Sequence, residues 1–124
     1  MNLPERRLAV GLVAGILGVC VPASGSGCDG LPDQIPITVS ADTMEPSGPA
    51  VCRDREVTLA VSPEVDGVLH IHGYDEQIPA TTITAGEEIV LTFTADRSGQ
   101  FPIELHTDGA PQGVDIGIVT VHEP

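Results

Sequence analysis

The chain has 124 residues, enough for one domain with one hydrophobic core and too few for two. Eighteen acidic residues stand against five arginines and no lysine, which argues against a nucleic-acid partner, because such affinity rests on neutralising phosphates with Lys and Arg. Trp is absent and the aromatic complement is Tyr74, Phe93 and Phe101, so the core falls to Val, Ile, Leu and Ala.

Met1 to Arg7 ends in two basic residues, and Leu8 to Val21 is an uninterrupted uncharged run of fourteen residues. That is short of the roughly 20 residues a bilayer span needs, and small residues follow it, which is the pattern of an export signal. Residues 1–23 read as the signal, with cleavage after Ala23. Arg6-Arg7 is a weak twin-arginine feature, since Glu5 precedes it and Ala9 stands where a bulky apolar residue is usual. The expected location is extracytoplasmic: periplasmic, secreted or anchored to the envelope. Membrane attachment would come only through an uncleaved signal or a lipid anchor. Without residues 1–23, Arg53, Arg55 and Arg97 face seventeen acids, a formal charge of −14. Such acidity means solubility and a weak general pull on cations.

Cys20 falls within the apolar run, which leaves Cys28 and Cys52 as the pair of the exported chain. An even count in an oxidising compartment reads as one disulfide. The rival is lipidation of a cysteine, for which the residues before Cys20 and before Cys28 are both poor matches. Residues 24–34, rich in Gly, Ser and Asp, read as a flexible tether, and the domain is expected over residues 35–124.

Ile35 to Ser40 reads as a short strand, and residues 41–54 as a long loop with turn chemistry at Pro46-Ser47-Gly48-Pro49. Glu56 to Val61 alternates Val57, Leu59 and Val61 inward. Val68 to His72, Thr81 to Thr84, Glu88 to Ala95, Phe101 to His106 and Asp115 to Val121 complete the set. About seven short strands with Gly, Pro and Asp in the loops predict an all-β chain, a small β-sandwich. No internal repeat is visible.

Two of these strands carry chemistry. His70 and His72 are two apart, so the period of a strand puts both imidazoles on one face with Leu69 and Ile71 on the other. Phe101, Ile103 and Leu105 alternate with Pro102, Glu104 and His106, so Glu104 and His106 share the face opposite the apolar one. Were the two strands neighbours, three histidines and a carboxylate would converge. Three imidazoles suit Cu(II) or Zn(II), and the Irving–Williams order favours copper. Glu104, or Asp75 just past the strand, is then a fourth ligand or the acceptor that orients a ring N–H. A purely structural reading has His72 donating to Asp75 or Tyr74, His70 in solvent and His106 capping its strand. His122, near the terminus, is the weakest candidate.

From Ile35 to Val121 the order of elements resembles the cupredoxin fold, especially small exported cupredoxin-like proteins and the last domain of multicopper oxidases. The specific part is Gly67 to His106. The oxidases' His-x-x-His-x-His-Gly run matches His70, Ile71, His72 and Gly73 in its last four places, and its first histidine falls on Gly67. Their Gly-x-Trp-x-x-His-Cys-His run lines up with Gly99, Phe101, Glu104, Leu105 and His106, with Leu105 in the cysteine's place. No His-x-x-x-Gly-Met follows, and neither Met44 nor Met1 is placed to act as the axial ligand. The resemblance implies a Greek-key β-sandwich of about seven strands. It also implies that His70, His72 and His106 occupy positions pointing away from the core, towards a second copper site shared with another domain. A blue-copper centre needs a cysteine thiolate, so the electron-shuttle role of that family is not expected.

Two functions follow. The first is an exported protein that binds copper or a similar divalent ion, using His70, His72, His106 and Glu104, for storage, delivery or sensing, with a protein partner or a second copy of the chain completing the site. The second is a metal-free sandwich serving as a binding or structural module. Enzymatic activity is not expected: no Ser/His/Asp order, free nucleophilic cysteine or carboxylate pair suited to acid–base work stands out.

Overall fold

The computed structural model describes residues 27–124. The segment read as an export signal, with Cys20 and the cleavage point after Ala23, lies outside the described residues, as do residues 24–26 of the expected tether.

The regular structure of the described residues is all β: Gln34–Val39 (β1), Met44–Glu45 (β2), Ala50–Cys52 (β3), Glu56–Pro63 (β4), Gly67–Ile71 (β5), Thr81–Ile83 (β6), Ile89–Thr94 (β7), Gly99–Thr107 (β8) and Ala110–His122 (β9). They form two sheets, β2-β1-β4-β7 and β3-β9-β8-β5-β6. β1 runs parallel to β4 and β3 parallel to β9, and the other pairings are antiparallel. The chain changes sheet five times, between β2 and β3, β3 and β4, β4 and β5, β6 and β7, and β7 and β8. The expected sandwich is therefore present, with nine strands where about seven were read.

The two additional strands, β2 and β3, lie inside the stretch taken as a long loop. Each is two or three residues long, too short to display a period. β3 pairs through Ala50↔Thr120, a partner so distant in sequence that nothing local announces it.

The alternation read from the sequence sets the core. Ile35, Ile37 and Val39 of β1, Val57, Leu59 and Val61 of β4, and Leu91 and Phe93 of β7 face Leu69 and Ile71 of β5, Ile103 and Leu105 of β8, and Val119 and Val121 of β9. Tyr74 packs its ring against Phe93 and Phe101, with centroids 4.7 Å away in both cases.

The tether needs correcting from Cys28 onward. Cys28 is buried and forms a disulfide with Cys52, so this part of the segment is stapled to the edge strand β3. Its sulfur is thereby committed to the disulfide rather than to a lipid.

Candidate metal centre

β5 and β8 are antiparallel neighbours, with His70 opposite Glu104 and Val68 opposite His106. Because Leu69, Ile71, Ile103 and Leu105 turn inward, His70, Glu104 and His106 are forced onto the outer face of the five-stranded sheet. His70 and His106 are diagonal neighbours there, within reach for long side chains. His72 lies one residue past the end of β5, yet its N–H still donates to the Pro102 carbonyl at 2.9 Å, which extends the ladder far enough to keep its ring on the same face.

Glu104 is the hub. Its Oε1 lies 2.6 Å from His106 Nε2 and 3.4 Å from His70 Nε2, while its Oε2 lies 2.6 Å from His72 Nε2. The hydrogen bond from His72 is the main influence holding the Glu104 carboxyl below its ordinary value of 4.5. Desolvation opposes this, while the His70 hydrogen bond and the charges of His70 and His72 reinforce it.

The outer nitrogens of the two inner rings are engaged elsewhere. His106 Nδ1 donates to the Pro111 carbonyl at 2.8 Å, and His70 Nδ1 faces Asp75 Oδ1 at 3.4 Å. A carbonyl or carboxylate only accepts, so these contacts put a proton on each Nδ1 and leave each Nε2 facing inward, available to a second proton or to a metal ion. The two Nε2 atoms lie 3.3 Å apart, with Glu104 Oε1 beside both. Two ring nitrogens and a carboxylate oxygen thus converge on one point, where a proton in the 2.6 Å His106–Glu104 contact or a metal ion can sit.

The dimensions suit a metal. Ligands at about 2.0–2.1 Å from a tetrahedral ion are roughly 3.3 Å from one another. The His70–His106 and His70–Glu104 edges, at 3.3 and 3.4 Å, already have that length. The His106–Glu104 edge, at 2.6 Å, is a hydrogen-bond distance and must open by roughly 0.7 Å. His70 and Glu104 are the sheltered members, each with 17% of its side chain exposed, whereas His72 is 45% exposed.

The surroundings hold these groups in place. Gly73 has φ +92°, and a Cβ there would meet the Phe101 ring at 2.7 Å. The Arg97 guanidinium donates to the Gly73 carbonyl and lies 5.3 Å from the Tyr74 ring centroid. The turn carrying Asp75 is further tied by Ile78 N–H to the Tyr74 carbonyl at 2.8 Å. Asp75, expected as a fourth ligand or as an acceptor for a ring N–H, faces His70, and no contact joins it to His72 among the described residues.

Two contributors were not foreseen. Gly113, at φ +89°, lies against the site: a Cβ would meet Glu104 Cδ at 2.7 Å and His106 Cε1 at 2.8 Å. Asp115 stands directly opposite Glu104 in the β8–β9 ladder, and its carboxylate belongs with His72 and Glu104 to a second group whose ligand atoms lie within 4.8 Å of one another. Simple alternation back from Val121 and Val119 assigns Asp115 to the core. The register shift between Ile103 and Glu104 leaves Ile116 as an extra residue in β9, so Ile116 takes the inward place and Asp115 emerges on the outer face. His122 lies at the other end of β9 and takes no part in either group.

No protein-family model and no curated protein matches the chain. Among solved structures, the chain is similar to reduced auracyanin from Roseiflexus castenholzii, at 17% identity and a TM-score of 0.60, covering 74% of this chain and 98% of that one. It is similar to the blue copper oxidase of Nitrosomonas europaea at 14% identity and a TM-score of 0.56, covering 73% of this chain but 38% of the oxidase. A copper-binding protein solved in its apo form by NMR matches at 15% identity and a TM-score of 0.54, covering 72% of this chain and 86% of that one. At these identities the likeness is one of fold, and the fold is cupredoxin-like.

Proposed function

We propose that this is an exported cupredoxin-like protein that captures copper, or a similar divalent ion, at a non-blue site made by His70, His106 and Glu104 with His72 alongside. The observation that carries this reading is the convergence of His70 Nε2, His106 Nε2 and Glu104 Oε1 from groups whose outer atoms already have polar partners. Metal-ligating histidines characteristically donate their second ring N–H to a carboxylate or carbonyl in this way. The solved structures of similar fold include proteins described as copper-binding, and copper stands above zinc in affinity for nitrogen donors. The Cys28–Cys52 disulfide suits an oxidising compartment, consistent with an extracytoplasmic location.

The role is binding rather than catalysis: storage, delivery or sensing. His70, His106 and Glu104 would hold the ion, and a partner protein or a second copy of the chain would supply any further donor. The test is titration of the protein with Cu(II), followed by NMR of the histidine rings. Selective broadening of His70 and His106, with His72 next, is the expected result.

A metal-free module is the second reading, favoured by the two 2.6 Å contacts of Glu104 with His72 and His106, which are good hydrogen bonds on their own. Absence of selective broadening at excess Cu(II) decides for it.

A further inference from the structure

We propose that Glu104 bridges two metal positions, the second formed by His72 and Asp115. This rests on the reading of His70 and His106 as ligands and extends it. The two oxygens of the Glu104 carboxylate serve different sides: Oε1 faces His70 and His106, and Oε2 faces His72 at 2.6 Å. Glu104 is common to two donor sets, His70–Glu104–His106 and His72–Glu104–Asp115, and its two oxygens divide between the histidines of the two sets. A carboxylate shared in this manner holds two ions at the roughly 3.5–4 Å separation of two-metal sites.

The charge distribution argues for the second ion independently. Glu104 and Asp115 are directly opposite on adjacent strands, an arrangement that is destabilising for like charges. Glu104 has three imidazole nitrogens within 3.4 Å, but the Asp115 carboxylate has no hydrogen bond or ion pair among the described residues. A divalent ion between His72, Glu104 Oε2 and Asp115 removes the repulsion and gives Asp115 a partner. One nitrogen and two carboxylate oxygens make this position harder than the first, and Asp115 is exposed, so it fills second and more weakly. Borderline divalent ions that accept mixed imidazole and carboxylate donors, Cu(II) or Zn(II), are the class it takes.

The experiment is titration of the full chain with Cu(II), counting bound ions by native mass spectrometry and integrating the EPR signal of the same samples. The wild type should bind two ions. One equivalent should give an isolated Cu(II) spectrum, and two should give a dipole-broadened spectrum with a half-field transition. Asp115→Ala and, separately, His72→Ala should bind one ion and keep the isolated spectrum in the presence of two equivalents. Saturation of the wild type at one ion, two ions with isolated spectra throughout, or an Asp115→Ala protein that still binds a coupled pair each overturns the bridge and leaves the first site standing. Failure of the wild type to bind any ion overturns the first site and the bridge together.

Discussion

His70 and His106 bring their Nε2 atoms to 3.3 Å across the β5–β8 pairing, with the opposite nitrogen of each ring facing a fixed acceptor. Removing an orienting partner from a metal-bound histidine typically costs about 10–100-fold in affinity. Asp75→Ala should therefore weaken Cu(II) binding by about that factor, and His70→Ala or His106→Ala by more than about 100-fold. Competition against a chromophoric chelator measures both. Affinities for the His70→Ala protein within a factor of two of wild type would remove His70 from the site.

Gly113 admits the close approach of Glu104 and His106 and also supplies a positive φ of +89°. Gly113→Ala introduces a side chain where none fits, and backbone strain of this type costs about 1–3 kcal/mol. Gly86 is the control: its φ is +82°, yet a Cβ there would meet nothing within 4 Å. Both variants should melt several degrees below wild type, at about 4–8 °C per kcal/mol for a domain of this size. Only Gly113→Ala should also lose Cu(II) affinity, by about tenfold or more. Equal affinity in the two variants would reduce Gly113 to a turn residue.

How much of this was legible in the sequence depends on whether a residue sits in unbroken alternation. Ile103, Glu104, Leu105 and His106 do, and period two alone assigned two to the core and two to the outer face. His70 followed the same rule. Asp115 did not, because one bulged residue reverses the parity of everything before it in β9. Gly113 was illegible for a different reason: the need for a missing side chain is created by neighbours that arrive from β8, not by the turn in which it lies. The strand Ala50–Cys52 was hidden by brevity and a distant parallel partner. Leu105 sits in the same unbroken alternation and is buried as that alternation requires.

The Glu104 carboxyl is held below its ordinary 4.5, first by the hydrogen bond from His72. A carboxyl depressed in the folded state favours the fold above its unfolded pKa, and that contribution disappears as pH falls through the folded value. In metal-free protein, Glu104→Gln should therefore melt below wild type near neutral pH, and the difference should shrink as pH is lowered from about 4.5. Thermal melts of the two proteins at stepped pH measure it. A difference that stays constant or grows into acid would assign the contribution of Glu104 to something other than its charge.

Leu105 is fully buried, on the face of β8 opposite to Glu104 and His106, so restoring a cysteine there should not restore a blue site. Leu105→Cys removes hydrocarbon from a filled core, at a cost near the lower end of the roughly 2–5 kcal/mol typical of Leu→Ala, and burial among apolar neighbours raises the thiol pKa. No histidine reaches that side of the sheet: His70, His72 and His106 surround Glu104 on the other. Adding Gly67→His does not mend this, because a Cβ at position 67 would lie 2.5 Å from the His106 carbonyl oxygen and 3.0 Å from Leu105 Cδ1. The Leu105→Cys protein should therefore bind Cu(II) on its outer face with wild-type stoichiometry and without the intense visible band of a copper–thiolate bond. Appearance of that band on adding Cu(II) would mean that an imidazole can enter the core, contrary to the strand parity that places every donor of this centre outside it.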